Sequence, residues 1–368
     1  MTSRSSESAI LSDYPSELEW SPETTLYVYY PRGLETGGPE ALHQLVDSVR
    51  RTGRQAFLVP IPGTESNSDV VAYSMYDAPV RTNVPDTENS LVLTPENQIG
   101  LLKRFSFATT LIWWLSVDYS SRYFLERLRQ RTGALSRSHL GHATIGTIRG
   151  KYFAFPQRYD SIISRSINLT QSKYAWSFLF LRKGIVASML TDYTSEAILS
   201  LVSSTPERER AHRVAYAPRK GGRLVSELIR MRPDVEWVPI ENMSKAQVIE
   251  TLTASAVYID LGHHPGKDRI PREAALCGAV VIVARRGSAA FSEDVPLPWA
   301  HKVPFGGDFV ASANGTLEGV LTDVASARLD QQPFVRWIEG EKLRFDREVQ
   351  QIFAHGHLGF DNTGFDTV

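Results

Sequence analysis

The 368-residue chain contains a single cysteine, Cys277, so it can form no internal disulfide and must hold its fold with a core. No run approaches the ~20 apolar residues of a membrane-spanning helix. The opening residues MTSRSSESAILSDYPSELEW lack a basic region followed by an apolar one, so a secretory signal is not expected; they read as a flexible leader over 1–20. The loop Glu35-Thr36-Gly37-Gly38 lacks the G-x-G-x-x-G spacing of a dinucleotide fingerprint and the Lys-Ser/Thr of a P-loop, and no Asp-x-Asp sequence occurs in the chain. Charge of one sign is not in excess, with 40 Lys and Arg against 41 Asp and Glu. A cytoplasmic setting is expected, and a chain this long is expected to split into two domains.

The charge is uneven. Between Arg122 and Lys173, Arg122, Arg127, Arg129, Arg131, Arg137, Arg149, Lys151, Arg158, Arg165 and Lys173 face only Glu126 and Asp160. The stretch 122–173 is either a solvated face or a surface for an anionic partner, a membrane periphery or a nucleic acid.

The hydrophobic pattern predicts alternating strands and helices. LYVYY (from Leu26), a Gly-rich loop, a helix from Pro39 with Leu42, Leu45, Val46 and Val49 on one face, and the strand AFLVPI form a strand–helix–strand unit. Strands are expected at Leu91–Leu93, Leu111–Leu115, Tyr152–Phe155 and Ile185–Met189, and helices at Pro95–Phe105, Tyr123–Arg131 and Tyr174–Arg182. A second unit begins with VAYAP near Val214 and runs through a helix at Arg223–Met231 to EWVPI. A capping box follows at Ser244 and Gln247, then the buried strand AVYID, the helix PREAALCG and the strand VVIVA. A last helix, Phe334 to Phe353, is expected to pack back across the domain junction. The expected layout is a first α/β domain over 21–200, a second over 211–333, a crossing helix over 334–354 and a flexible tail over 355–368.

Three loops at carboxyl ends of strands carry the chemistry. Lys267, Asp268, Arg269 and Arg272 surround the start of the helix at Pro271, whose free N–H groups and partial positive charge suit an anion. Glu273 in its first turn either complements the helix dipole or accepts hydrogen bonds from ribose hydroxyls. Arg219 and Lys220 precede Gly221 and Gly222 after VAYAP, so cationic side chains and exposed backbone share one loop. Glu35, Gly37 and Gly38 lie between the first strand and helix, where backbone amides can approach a ligand held by a facing domain. Two cationic loops on one sheet edge suggest one anionic ligand.

These clusters, in this order, resemble those of GT-B-fold glycosyltransferases, above all the bacterial capsular and cell-surface polysaccharide enzymes. The likeness is carried by GGPEALHQLVDSVRRTGRQAFLVPI, YAPRKG and PREAALCGAVVIV, with IWWLSVDY and NLTQSKYAW as further matches. It implies two Rossmann-like domains facing across a cleft that holds a nucleotide-diphosphate sugar. It implies that Arg219 and Lys220 hold the diphosphate, that Glu273 holds the ribose, and that Gly37 and Gly38 approach the donor from the other domain. No cofactor and no metal are expected, because side-chain cations and helix N-termini neutralise the leaving diphosphate. The expected reaction is transfer of a hexosyl or pentosyl group to a hydroxyl acceptor, a glycan or polysaccharide precursor. The resemblance has one gap: many retaining members carry a Glu eight residues before the ribose Glu, and here that position is Pro265.

For the chemical step, His43, Asp118, His263 and His264 are the candidate acid–base groups. Asp118 and His264 are taken as catalytic, Lys267, Asp268 and Arg272 are added to the donor side, and Glu35, His43 and Trp114 are assigned to the acceptor. Three other readings stand beside this one: transfer onto nucleic acid through the basic stretch, epimerisation of a nucleotide sugar, and non-catalytic nucleotide-sugar binding, the last prompted by Pro265.

Overall fold

The first strand–helix–strand unit forms as the pattern predicts. β1 (Thr25–Tyr30) and β2 (Gln55–Pro60) pair in parallel, joined by α1 (Gly37–Arg51), which buries Leu42, Leu45, Val46 and Val49. The computed structural model describes residues 17–120, 159–206 and 210–358. The expected strand Tyr152–Phe155, the expected helix Tyr123–Arg131 and most of the basic stretch 122–173 lie outside the described residues.

The first sheet continues with β3 (Ser90–Pro95), β4 (Thr109–Trp114), β5 (Ile167–Thr170) and β6 (Ser188–Met189), in the order β2-β1-β3-β4-β5-β6 with every pairing parallel. Between β3 and β4 the expected α-helix is a 3-10 helix, Glu96–Arg104. Its buried residues Ile99 and Leu102, followed by Phe105, recur every third position, the period of the tighter helix. Beyond β4 come α2 (Asp160–Arg165), α3 (Lys173–Lys183) and α4 (Glu196–Ser204). The expected first domain reached residue 200, but α4 belongs to the second: Ile198 shares a core with Ile249, Leu252 and Ala274.

The second unit is β7 (Ala211–Tyr216), α5 (Gly222–Met231), β8 (Glu236–Pro239), α6 (Lys245–Thr253), β9 (Ser255–Asp260), α7 (Arg269–Leu276), β10 (Val280–Ala284) and β11 (Lys302–Val303). Its sheet order is β11-β10-β9-β7-β8, again parallel throughout. β9 and β10 are buried at every residue, as central strands covered on both faces require. The Ser244 capping box is formed: Ser244 Oγ accepts from Gln247 N at 3.3 Å and Gln247 Oε1 accepts from Ser244 N at 2.8 Å. Cys277 lies buried among these residues, and burial pushes its thiol up to about 11, so it is a core residue.

After α8 (Phe309–Thr322) and α9 (Val324–Asp330), the expected terminal helix is interrupted. It comprises α10 (Gln332–Glu339), α11 (Glu341–Val349) and a π-helical turn Gln350–Ala354, with the break at Gly340. Phe334 and Ile338 of α10 pack in the second unit's core, whereas Phe345 and Val349 of α11 pack with Leu42 and Leu45 of α1, so the segment crosses between the units. The leader and tail are ordered where they meet. Leu18 N donates to Gly356 O at 2.6 Å, Trp20 packs edge-on against Phe353, and Leu18 and Leu358 are buried. Apolar anchors in both segments give them a core to join, contrary to the expected mobility at 17–20 and 355–358. Among the described residues no helix is long and apolar enough to cross a membrane.

Candidate active site

The two cationic loops of the second unit meet at the carboxyl edge of its sheet. In the turn after β7, Gly221 caps α5 with a φ of 73°. A Cβ there would stand 3.1 Å from the Leu261 carbonyl carbon, so glycine lets this turn lie against the loop that follows β9. Lys220 reaches across that contact to Asp268 and stands 3.6 Å from Asp260 Oδ2. His264 lies between the same two carboxylates, with Nδ1 3.1 Å from Asp268 Oδ2 and Nε2 3.5 Å from Asp260 Oδ2. Burial pushes the Asp260 carboxyl up, but Lys220 and His264 outweigh it and hold the group well below the usual carboxylate range. Asp260, His264 and Asp268 can present three ligand atoms to one cation, and the Lys220 ammonium already lies against both carboxylates. Arg219 is 83% exposed, 3.7 Å from Glu241.

The loop after β9 then enters the first unit. His263 Nε2 lies 2.6 Å from Asp118 Oδ2, and the Tyr174 hydroxyl donates to both Asp118 oxygens at 3.1 and 3.2 Å. Gly266 presses on the backbone of the first unit so closely that a Cβ would overlap the Leu115 carbonyl. Lys267 N donates to Gln171 Oε1 at 3.2 Å. Asp294 extends the seam by accepting from Lys173 N and Tyr174 N at 2.7 and 2.9 Å, and burial raises its carboxyl to about 6.

On the other flank the start of α1 faces the starts of α6 and α7. Glu35 pairs with Lys245 at 2.8 Å, Glu40 pairs with Arg269, and a Cβ on Gly37 would stand 3.0 Å from Arg269 Nε. Gly38 faces Leu115. Glu273 is half-buried and lines a small pocket with Tyr193, Thr194, Ser195, Ile198, Arg269 and Arg272. Burial raises its carboxyl, and Arg269, Arg272 and Lys245 oppose that rise.

Several expected residues are placed differently. Lys267, only 2% exposed, has its ammonium 3.2 Å from Asp192 and 3.3 Å from Glu341. Arg272 forms ion pairs of 2.9 Å with both carboxylates. Their charges are spent inside the junction of β6, α7 and α11, so the structure does not aim them at a diphosphate. Trp114 is fully buried with Nε1 donating to Asn168 Oδ1 at 2.9 Å, and Trp113 is buried on the opposite face, so neither can touch an acceptor. His43 Nδ1 donates to Pro39 O at 2.8 Å while its ring packs against Tyr30 and Tyr73. Burial lowers its pKa, so it reads as a packed helix residue rather than an acceptor ligand. His264, 1% exposed between its carboxylates, is out of reach of a substrate hydroxyl. Sequence reasoning overlooked Tyr174, Asp192, Asp260 and Glu341. Asp192 and Asp260 lie at or just beyond strand ends on the binding edge, a signal that was available; Glu341 lies on a helix remote in sequence and gave none.

No family model matches the sequence, and no curated protein matches it. Solved structures do. The sucrose-phosphate synthase of Thermosynechococcus elongatus superposes with a TM-score of 0.57 at 12% identity, covering 90% of this chain and 100% of that one. A glycosyltransferase of Rickettsia africae gives 0.58 at 12% identity, with 90% and 98% covered. Anabaena HepE, solved with UDP and glucose, gives 0.54 at 11% identity, with 90% and 100% covered. The chain therefore has the two-domain GT-B fold of these glycosyltransferases.

Proposed function

We propose that the protein transfers a glycosyl group from a nucleoside-diphosphate sugar to a hydroxyl acceptor, the sugar hydroxyl of a glycan precursor. One observation carries this reading: the Lys220 loop, the start of α7 with Glu273, and the start of α1 converge on a single seam between two parallel sheets. Ligands of open parallel sheets bind outside the carboxyl ends of the strands, which is where this seam lies. HepE, of like fold, was solved with UDP.

In this reading Lys220 exchanges Asp268 for the diphosphate, and the exposed Arg219 joins it. The free N–H groups of α5, reached through Gly221 and Gly222, supply further donors. Glu273 holds the ribose, and Gly37 and Gly38 allow the backbone of the first unit to close on the donor. Fixed cations and N–H groups aimed at the departing diphosphate stabilise the charge that develops there, and closure of the seam limits attack by water.

A thermal-shift panel of nucleoside diphosphates and their sugars tests this. A ligand at a hundred times its dissociation constant stabilises by about 2.7 kcal/mol. At least one diphosphate should shift the wild-type protein, and Lys220→Ala and Glu273→Ala should each lose most of that shift. A panel without any shift, or shifts kept in both variants, overturns the reading. Incubation with donor alone separates transfer from epimerisation, since an epimerised nucleotide sugar would contradict transfer.

A further inference from the structure

We infer that Arg286 and Phe305 form a subsite for an acidic sugar of the acceptor, so that the glycan receiving the transferred group is one that carries uronate units. The inference rests on the transfer reading and names its class of acceptor. Arg286 follows β10 and Phe305 follows β11, so both lie just beyond the carboxyl ends of adjacent parallel strands, on the edge that also carries Lys220.

Two guanidinium groups at consecutive positions each lie over an aromatic ring, and their partners tell them apart. Arg285 stands 4.4 Å from the Trp299 ring centre, with Nε donating to Lys302 O at 2.9 Å and a second nitrogen donating to Trp299 O at 3.4 Å. Its donors serve the backbone around β11. Arg286 stands 4.5 Å from the Phe305 ring centre, and its guanidinium has no hydrogen-bond or ion-pair partner among the described residues. Phe305 is still 60% exposed, and Gly306 and Gly307 continue it as exposed backbone. The nearest acid along the chain, Asp308, is engaged as the cap of α8, accepting from Ala311 N at 3.0 Å.

Main-chain contacts fasten Arg286 to the loop that enters the seam. Arg286 O accepts from His264 N at 3.3 Å, and Ser288 N donates to His264 O at 2.9 Å. Gly287 between them has a φ of 62°, and a Cβ there would overlap the His264 carbonyl, so glycine keeps this contact. The preceding residue of that loop, His263, meets Asp118 of the first unit. A guanidinium offers a planar fork of N–H donors that matches a carboxylate, and an exposed aromatic ring beside it suits the C–H groups of a sugar. One free cation next to one ring fits a single uronate unit. A nucleic acid asks for a row of cations along its backbone, and Arg286 is a single one. The strand order sets β10 two spacings, about 10 Å, from β7, which leaves the diphosphate to the Lys220 loop and Arg286 to a sugar beyond it.

The test is binding of tetragalacturonate by titration calorimetry at fixed ionic strength, with maltotetraose as the neutral chain of equal length. The nucleoside diphosphate of largest thermal shift is present throughout. Wild-type protein is expected to bind the acidic chain about tenfold or more tightly than the neutral one. Arg286→Gln is expected to lose about tenfold or more of that affinity and Phe305→Ala about threefold or more, both with the nucleotide thermal shift kept. Arg286→Lys, which keeps the charge and loses the fork, is expected to fall between wild type and Arg286→Gln. Equal binding of the two chains, or tetragalacturonate affinity unchanged in Arg286→Gln, overturns the inference and leaves the transfer reading standing. A larger thermal shift from UDP-glucuronate than from UDP-glucose, lost in Arg286→Gln, puts the carboxylate on the donor and overturns the acceptor assignment. Oligothymidylate bound more tightly than tetragalacturonate, and released by the same substitution, overturns it in favour of nucleic acid. A wild-type protein that no nucleoside diphosphate shifts overturns the transfer reading itself, and this assignment with it.

Discussion

Replacing Arg272 with Met tests the charge cluster that fastens the two units and the crossing helix. Asp192 of the first unit, Lys267 and Arg272 of the second, and Glu341 of α11 are all buried, two acids matched by two bases. Arg272→Met removes a cation whose ion pairs reach both carboxylates and leaves Lys267 to balance two acids. Removing one member of a buried pair costs about 3–5 kcal/mol, because the partner charge stays desolvated. At about 2.1 cal/mol/K of unfolding entropy per residue, a chain of 368 residues loses roughly 1–2 °C of Tm per kcal/mol, so the fall should be on the order of 5 °C. Urea unfolding and calorimetry would measure it. Arg272→Met/Glu341→Gln leaves Asp192 and Lys267 as a balanced pair, so the double variant should be less destabilised than the sum of the singles, by about 0.5–3 kcal/mol. Burial pushes the Asp192 carboxyl up, but Arg272 and Lys267 outweigh this and hold it well below its usual range. A depressed carboxyl contributes stability that is present above its unfolded pKa and lost as pH falls, so Arg272→Met should also soften the acid limb of the stability profile. A loss under about 1 kcal/mol, the size of an exposed pair, or strict additivity in the cycle, would refute the reasoning.

Glu96 runs the other way: burial raises its carboxyl to about 7, although it accepts from Leu115 N at 3.0 Å. The folded state then holds a proton that the unfolded chain releases near pH 4.5, so stability should fall as pH rises from about 4.5 to 7, by roughly 2–4 kcal/mol. Glu96→Gln should flatten that slope in a pH series of urea melts, and an unchanged slope would contradict it. Ser244→Ala should cost about 1 kcal/mol by opening the capping box at the start of α6, read from the urea midpoint. No change in that midpoint would mean the cap is not formed in solution.

Much of the second unit was legible in the sequence because its signals are local. The unbroken apolar runs of β9 and β10 mark central parallel strands, and Ser244 with Gln247 marks a helix start within four residues. The meeting of the Lys220 and Asp268 loops also followed, since consecutive parallel strands deliver their loops to one edge. The assignment of Trp114 to the acceptor fails because both faces of a parallel sheet are covered, so the two tryptophans at the end of β4 are buried on opposite sides. Lys267 and Arg272 were misjudged because their partners, Asp192 and Glu341, lie on other elements and become neighbours only through the crossing helix. The 3-10 turns at Glu96–Arg104 and the allegiance of α4 to the second unit likewise depend on tertiary packing.

A crystal structure with UDP bound tests the central claim most directly. The account predicts the diphosphate against Lys220 and the start of α5, with Lys220 released from Asp268 and the ribose hydroxyls on Glu273. A nucleotide bound away from the seam, or one in the seam with Lys220 still paired to Asp268 and Glu273 untouched, would contradict it.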